Sequence, residues 1–150
     1  MTQSKNGYAS GKNDDAPVSF LAPSGGLFIA FAGISGLTAT VMAAFSNHGL
    51  DPATHAHQIE LIKTGVQMDY VHSLAMLGVA ALAALGRLRN GWATAAQWLF
   101  LAGGMLFAGT LYLLGLGAPA SMGTSVPIGG LAYILGWLSL TVAALLKYRR

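Results

Sequence analysis

The chain has 150 residues, 54% of them hydrophobic and only 9% charged, with a mean hydropathy of +0.57 and a formal net charge of +3. That balance lies well outside the range of soluble globular proteins, so lipid rather than water is its expected solvent. The lack of cysteine excludes disulfides, iron–sulfur clusters, thiolate zinc sites, thiol nucleophiles and a lipid-attachment cysteine, and the few scattered basic residues exclude nucleic-acid binding.

Residues 1–26 are polar and turn-rich, with Gly7, Gly11, Pro17, Pro23, Gly25 and the pair Asp14 and Asp15. They read as a flexible cytoplasmic tail, apart from a transmembrane domain over 27–150. A secretory signal is not expected, because its short apolar run would follow a compact basic start. A hydrocarbon core about 30 Å thick needs roughly twenty helical residues, and 27–46 supplies them without a charge. The following polar stretch carries His48, Asp51, Pro52, His55, His57, Glu60 and Lys63. Its second half, from Thr54, is expected to form a short interfacial helix before the second span at 67–85.

Gly86-Arg87-Leu88-Arg89-Asn90-Gly91 is a tight basic turn, which makes the third span, 93–116, an antiparallel neighbour of the second. Residues 117–125, with Pro119 and Gly123, read as a loop before the fourth span at 126–146 and the basic end Lys147-Tyr148-Arg149-Arg150. The expected fold class is therefore all-α integral membrane, four transmembrane helices in a compact bundle. Lys5, Lys12, Arg87, Arg89, Lys147, Arg149 and Arg150 fall on one side of these spans and Lys63 alone on the other. Cytoplasmic loops carry the excess of lysine and arginine, so both termini are expected in the cytoplasm of a bacterium, with the chain multi-pass in its inner membrane. Trp92 and Tyr148 flank the same basic face, at headgroup level.

Lipid tails are as apolar as leucine, so small residues should mark where helices meet. Ala32, Gly36, Thr40 and Ala44 recur every four residues on helix one, Gly104 and Ala108 on helix three, and Ala132 and Gly136 on helix four. Packing within the bundle is the plain reading of these stripes; self-association or contact with other membrane-protein subunits is the alternative. Trp137, near mid-depth in helix four, is expected to fill a gap in the bundle rather than bind a cofactor.

Asp69 and His72 stand about 5 to 9 Å inside the outer boundary of helix two, three residues apart on one face. Burying an ionisable group there costs about 3 kcal/mol unless it is paired, so an Asp69–His72 pair is expected. His48 at the end of helix one and Tyr112 on helix three are placed at the same level. The four residues form a candidate quinone-headgroup or proton-handling site, or else a hydrogen-bond clasp between helices one and two. His48, His55 and His57 offer a weaker alternative, metal binding on the outer face, without the i, i+4 spacing of a helical zinc site. A transporter or channel is disfavoured, because helix two is uncharged below His72. No residue stands out as catalytic, and no cofactor is required.

Several segments resemble one family. Ala43-Ala44-Phe45-Ser46-Asn47-His48, His72-Ser73-Leu74-Ala75, Leu106-Phe107-Ala108-Gly109-Thr110-Leu111-Tyr112, and Pro127-Ile128-Gly129-Gly130 with Gly136-Trp137 are similar to signature stretches of the domain of unknown function 423 family. This is the transmembrane protein 256-like group of small four-helix membrane proteins. The resemblance covers 27–150. It departs at Ser46-Asn47, where the family has Gly-Ala, and at Met68-Asp69, where it has Tyr-Gln. It implies the four-helix fold and an inner-membrane location, and no activity.

The expected role is a non-catalytic accessory or structural subunit of a larger inner-membrane complex, a respiratory one being the first to examine, with membrane lipid as the constant partner. The orientation is directly testable. A fluorescent protein that matures only in the cytoplasm, fused after Arg150, should fluoresce, and alkaline phosphatase inserted at Ala53 should be active; the opposite pattern would reverse the topology.

Overall fold

The computed structural model describes residues 23–148. They form α1 (Pro23–His48), α2 (Ala56–Ala84), α3 (Asn90–Gly103), a π-helical segment (Gly104–Gly109), α4 (Thr110–Gly115), a 3-10 turn (Ala120–Ser125) and α5 (Val126–Tyr148). The run α3, π segment and α4 is one rod, Asn90–Gly115, so four helical rods are long and apolar enough to cross a membrane. The protein is an all-α, four-span membrane protein.

The expected tail lies outside the described residues over 1–22, as do Arg149 and Arg150 at the basic end. Residues 23–26 open α1, where Pro23 suits a helix start because its missing N–H would have no intrahelical partner. The interfacial helix expected from Thr54 is not a separate element: α2 runs unbroken for 29 residues, about 43 Å, and its polar first turns extend past a 30 Å core. The stretch read as loop, 117–125, contains the 3-10 turn.

The α2–α3 turn closes on Gly86 at φ 66°, with Gly86 N–H donating to Ala83 O (3.0 Å) and Arg87 N–H to Leu82 O (2.9 Å). Buried Leu88 plugs the turn, and Arg89 N–H donates to Ala143 O on α5 (3.1 Å). The second and third rods are thus antiparallel neighbours, as the short turn requires.

In the bundle α2 packs against the π segment and α4, and α3 against α5, while α1 rests almost wholly on α2. Two apolar layers result. One gathers Phe28, Met76, Val79, Phe100 and Tyr133; the other gathers Met42, Ile62, Ala108 and Tyr112. Between them, α2 presents buried Asp69, His72 and Ser73.

The four-residue stripe on α1 is not its buried face. Ala32 is buried, but a Cβ at Gly36 would meet nothing within 4 Å, and Thr40 and Ala44 are exposed. Steps of four advance about 40° per step beyond a full turn, so such a stripe winds off the contact. The contact follows mixed steps of three and four: Phe28, Ala32, Ser35, Ala39, Met42, Ser46. The other stripes hold in part, since Ala108 and Gly136 are buried.

Among the described glycines, the one set most tightly against the backbone of another helix is Gly129 of α5, where a Cβ would stand 2.5 Å from Phe107 N and 2.8 Å from Leu106 C. Gly130, one residue on, has only the tip of the Phe107 ring at 3.7 Å. Gly129→Ala should therefore destabilise the bundle by about 1–3 kcal/mol, because backbone must move, while Gly130→Ala leaves it unchanged. Thermal unfolding in mild detergent reads the difference; equal behaviour of the two variants would contradict this packing.

Candidate functional site

Asp69 is the hub of the polar layer. Ser35 of α1 donates its hydroxyl to Oδ1, and Tyr112 of α4 donates its phenol to Oδ2 at 3.1 Å. The Tyr112 ring reaches it by lying over Gly65, one turn earlier on α2, where a Cβ would stand 2.8 Å from the ring. A second tie between α1 and α2 joins the hydroxyls of Thr40 and Tyr70 at 2.9 Å. One carboxylate thus holds three helices.

His72 faces the other way, towards α5. Its Nδ1 lies 2.7 Å from Met68 O, and a carbonyl only accepts, so Nδ1 carries the proton. Its Nε2 accepts the indole N–H of Trp137 at 3.2 Å. These partners define a neutral imidazole with both nitrogens engaged. The ring stacks on Tyr133 with centroids 3.4 Å apart and planes at 11°.

The expected Asp69–His72 pair is therefore not made. The two share a helix face, but each turns to a different neighbour, Asp69 to Ser35 and Tyr112 and His72 to Met68 and Trp137. Tyr112 joins the network as expected, whereas His48 does not. The antiparallel register sets Ser35 against Asp69, and His48 lies thirteen residues further along α1, about 20 Å away, exposed at the helix end.

His55 sits at the start of α2, its Nδ1 2.7 Å from the Thr54 hydroxyl, and exposed His57 belongs to the first turn. Among the described residues no three histidine or carboxylate side chains gather as metal ligands, so His48, His55 and His57 do not form the outer-face metal set. Trp137 does not fill an internal gap. It is 43% exposed on the outer surface, with its ring edge-on to Phe100 (centroids 5.2 Å) and its N–H turned inward to His72.

Two buried groups escaped sequence reasoning. Gln97 of α3 donates to Met76 O at 3.0 Å, and its own Oε1 has no partner among the described residues. Tyr133 of α5 is 4% exposed, and its hydroxyl likewise has no hydrogen-bond partner among the described residues. A tyrosine in the middle of a span, away from the interfacial belts where its ring is favoured, was the available signal.

Beside this network lies a pocket of about 230 Å³ between α1, α2, the third rod and α5. Ser35, Thr38, Asp69, His72, Ser73, Tyr112 and Tyr133 supply its polar wall, and Phe31, Met76, Phe100 and Met105 are among its apolar lining. The Tyr133 hydroxyl sits next to Gly104, 3.8 Å from where a Cβ would be. Ile34 and Met105, 60% and 68% exposed, stand on opposite sides of the mouth, which faces lipid between α1 and the π segment. π segments occur often at functional sites.

The family model described as "Protein of unknown function (DUF423)" matches residues 42–130, more than half of the chain. The UPF0382 membrane protein YwdK of Bacillus subtilis is 37% identical over 123 residues, covering 81% of this chain and 98% of that protein. A UPF0382 membrane protein of Haemophilus influenzae is 33% identical over 114 residues, 75% of this chain and 89% of that one. The UPF0382 inner membrane protein YgdD of Escherichia coli K12 is 32% identical over 120 residues, 80% and 90% of the two chains. No solved structure matches the chain. These matches, on a four-span helical fold, show that the chain belongs to the DUF423 family of membrane proteins.

Proposed function

We propose that this is a non-catalytic bacterial inner-membrane protein that holds the oxygen-bearing head of a lipid-soluble molecule, with a quinone headgroup the best chemical match. Its relative in Escherichia coli carries an inner-membrane name, and the four apolar spans accord with that location. The observation that carries the binding role is Tyr133, which lines a pocket open to lipid and whose buried hydroxyl has no acceptor among the described residues.

A buried donor left unpaired costs about 1–3 kcal/mol, which a ligand's acceptor oxygen would recover. Quinone carbonyls accept and do not donate, which suits a phenol. The apolar wall of Phe31, Met76, Phe100 and Met105 suits a flat ring and its hydrocarbon chain. Asp69 and His72 have their hydrogen-bonding atoms engaged within the protein, which supports their role as a clasp around the pocket and leaves Tyr133 to meet the ligand. The same engagement weakens the proton-handling reading.

A second reading, an accessory subunit of a larger and respiratory complex, is favoured by one observation. The face of α1 carrying Gly33, Gly36 and Ala44 is turned away from its own bundle and offers a close approach to another helix. Gentle solubilisation should then yield a stoichiometric partner that Gly36→Leu releases; wild-type protein that always purifies alone would end this reading.

For the pocket, extraction into native-lipid particles followed by small-molecule mass spectrometry should recover one quinone or other carbonyl-bearing lipid per protein. Tyr133→Phe should lower that yield about fivefold, the value of one neutral hydrogen bond, and Gly104→Leu should abolish it by filling the space beside the hydroxyl. Thermal stability should separate the roles. Asp69→Ala strands the Ser35 and Tyr112 hydroxyls and should lose about 1–3 kcal/mol, whereas Tyr133→Phe removes an unpaired donor and should lose nothing. Wild-type particles holding only bulk lipid would sink the ligand reading.

A further inference from the structure

At the opposite end of the bundle from His48, the C-terminal turns of α2 and α5 enclose a groove of about 700 Å³ lined by Leu85, Gly86, Arg87, Ala144, Leu145, Lys147 and Tyr148. From its residues and position we infer that this groove binds the phosphate of an anionic phospholipid.

Two cations line one groove, and among the described residues neither Arg87 nor Lys147 has a carboxylate partner. The described acidic residues are Asp51, Glu60 and Asp69, and they belong to the first loop, the first turns of α2 and the Asp69 network. A guanidinium offers a planar fork for phosphate oxygens and an ammonium a point charge beside it, so together they suit a phosphodiester.

The backbone around the cations is fixed before any lipid arrives. Arg87 follows Gly86 in a closed helix end, its own N–H bonded to Leu82 O at 2.9 Å. Two residues on, Arg89 N–H is bonded to Ala143 O at 3.1 Å, and buried Leu88 lies between them. The turn bearing Arg87 is thereby tied to the helix bearing Lys147, and less ordering is left to pay on binding.

The groove is amphipathic in the sense that a lipid requires. Leu85 and Leu145, 64% and 58% exposed, form its apolar flank at the end of the spans, where an acyl chain leaves the headgroup. Tyr148 adds an exposed phenol ring at headgroup depth. A soluble phosphate would use the cations and leave the leucines idle; a phospholipid uses both. Basic pockets between transmembrane helices bind anionic headgroups on this physical basis. The inference is independent of the ligand pocket beside Asp69, which lies elsewhere along the bundle.

The test is native mass spectrometry of the full chain released from bilayers containing equal phosphatidylglycerol and phosphatidylcholine of matched acyl chains. Wild type should keep one phosphatidylglycerol over phosphatidylcholine by about tenfold or more. The double variant R87Q/K147Q should lose that preference, Arg87→Lys should keep only part of it because the charge stays and the fork is lost, and Lys63→Gln, on the first-loop side, should not alter it. Excess soluble glycerol phosphate should leave the lipid adduct in place. Absence of preference in wild type, its survival in the double variant, or displacement by glycerol phosphate would each overturn the assignment.

Discussion

A carboxylate inside a hydrocarbon slab must find its hydrogen bonds within the protein, and here that requirement organises the bundle. Water is not there to share the work, and an unpaired charge at this depth costs about 3 kcal/mol. Asp69 meets the requirement with Ser35 from α1 and Tyr112 from α4, so one side chain of α2 fixes both neighbours. The consequence is greatest for α1. That helix rests almost wholly on α2, and its polar ties, Ser35–Asp69 and Thr40–Tyr70, set the register in which the two helices run.

The network depends on close packing at glycine. Tyr112 delivers its hydroxyl to Asp69 only because its ring can lie on the bare backbone at Gly65. Tyr133 stands against Gly103 in the same way, and Phe100, which forms an edge-on contact with Trp137, stands against Gly136. Each pairing replaces a side chain by an aromatic ring on the facing helix. In lipid, where helix association relies on close packing, this pays twice: it brings backbones together and carries a polar tip to a chosen depth. Gly129 extends the principle to backbone on backbone, seating α5 directly on the π segment.

Much of the fold was legible because hydrophobic length is a direct physical requirement of the bilayer. The four spans, the antiparallel second and third rods at Gly86–Asn90, and the gathering of Asp69, His72 and Tyr112 around one level of the bundle all follow from it. Register was not legible. The sequence puts His48 level with Asp69, but α2 starts at Ala56, thirteen residues before Asp69, so in the antiparallel pair the end of α1 runs past the carboxylate and it is Ser35, a residue without charge, that meets it. Periodicity misled on the same helix, since a strict four-residue repeat drifts around the axis while the true contact alternates three and four. The Asp69–His72 pair failed for a related reason: sharing a helix face says that two side chains can meet, and the partners on other helices decide whether they do. Tyr133 carried a visible signal in its mid-span position, but an unpaired hydroxyl exists only in three dimensions.

The contrast between Asp69 and Tyr133 explains how one polar layer can support both a fold and a binding site. Asp69 is positioned by its hydrogen bonds, so any ligand that competed for them would loosen three helices. Tyr133 is positioned by its ring, stacked on His72 on one side and packed on Gly103 on the other. Its hydroxyl makes no hydrogen bond that fixes that placement and is left buried beside Gly104, in a side chain that lines the pocket. His72 links the two, since its imidazole supports the Tyr133 ring while its own nitrogens are held by Met68 and Trp137. A ligand accepting from Tyr133 would therefore gain a hydrogen bond without breaking one, and the bundle would stay intact with the pocket empty or filled.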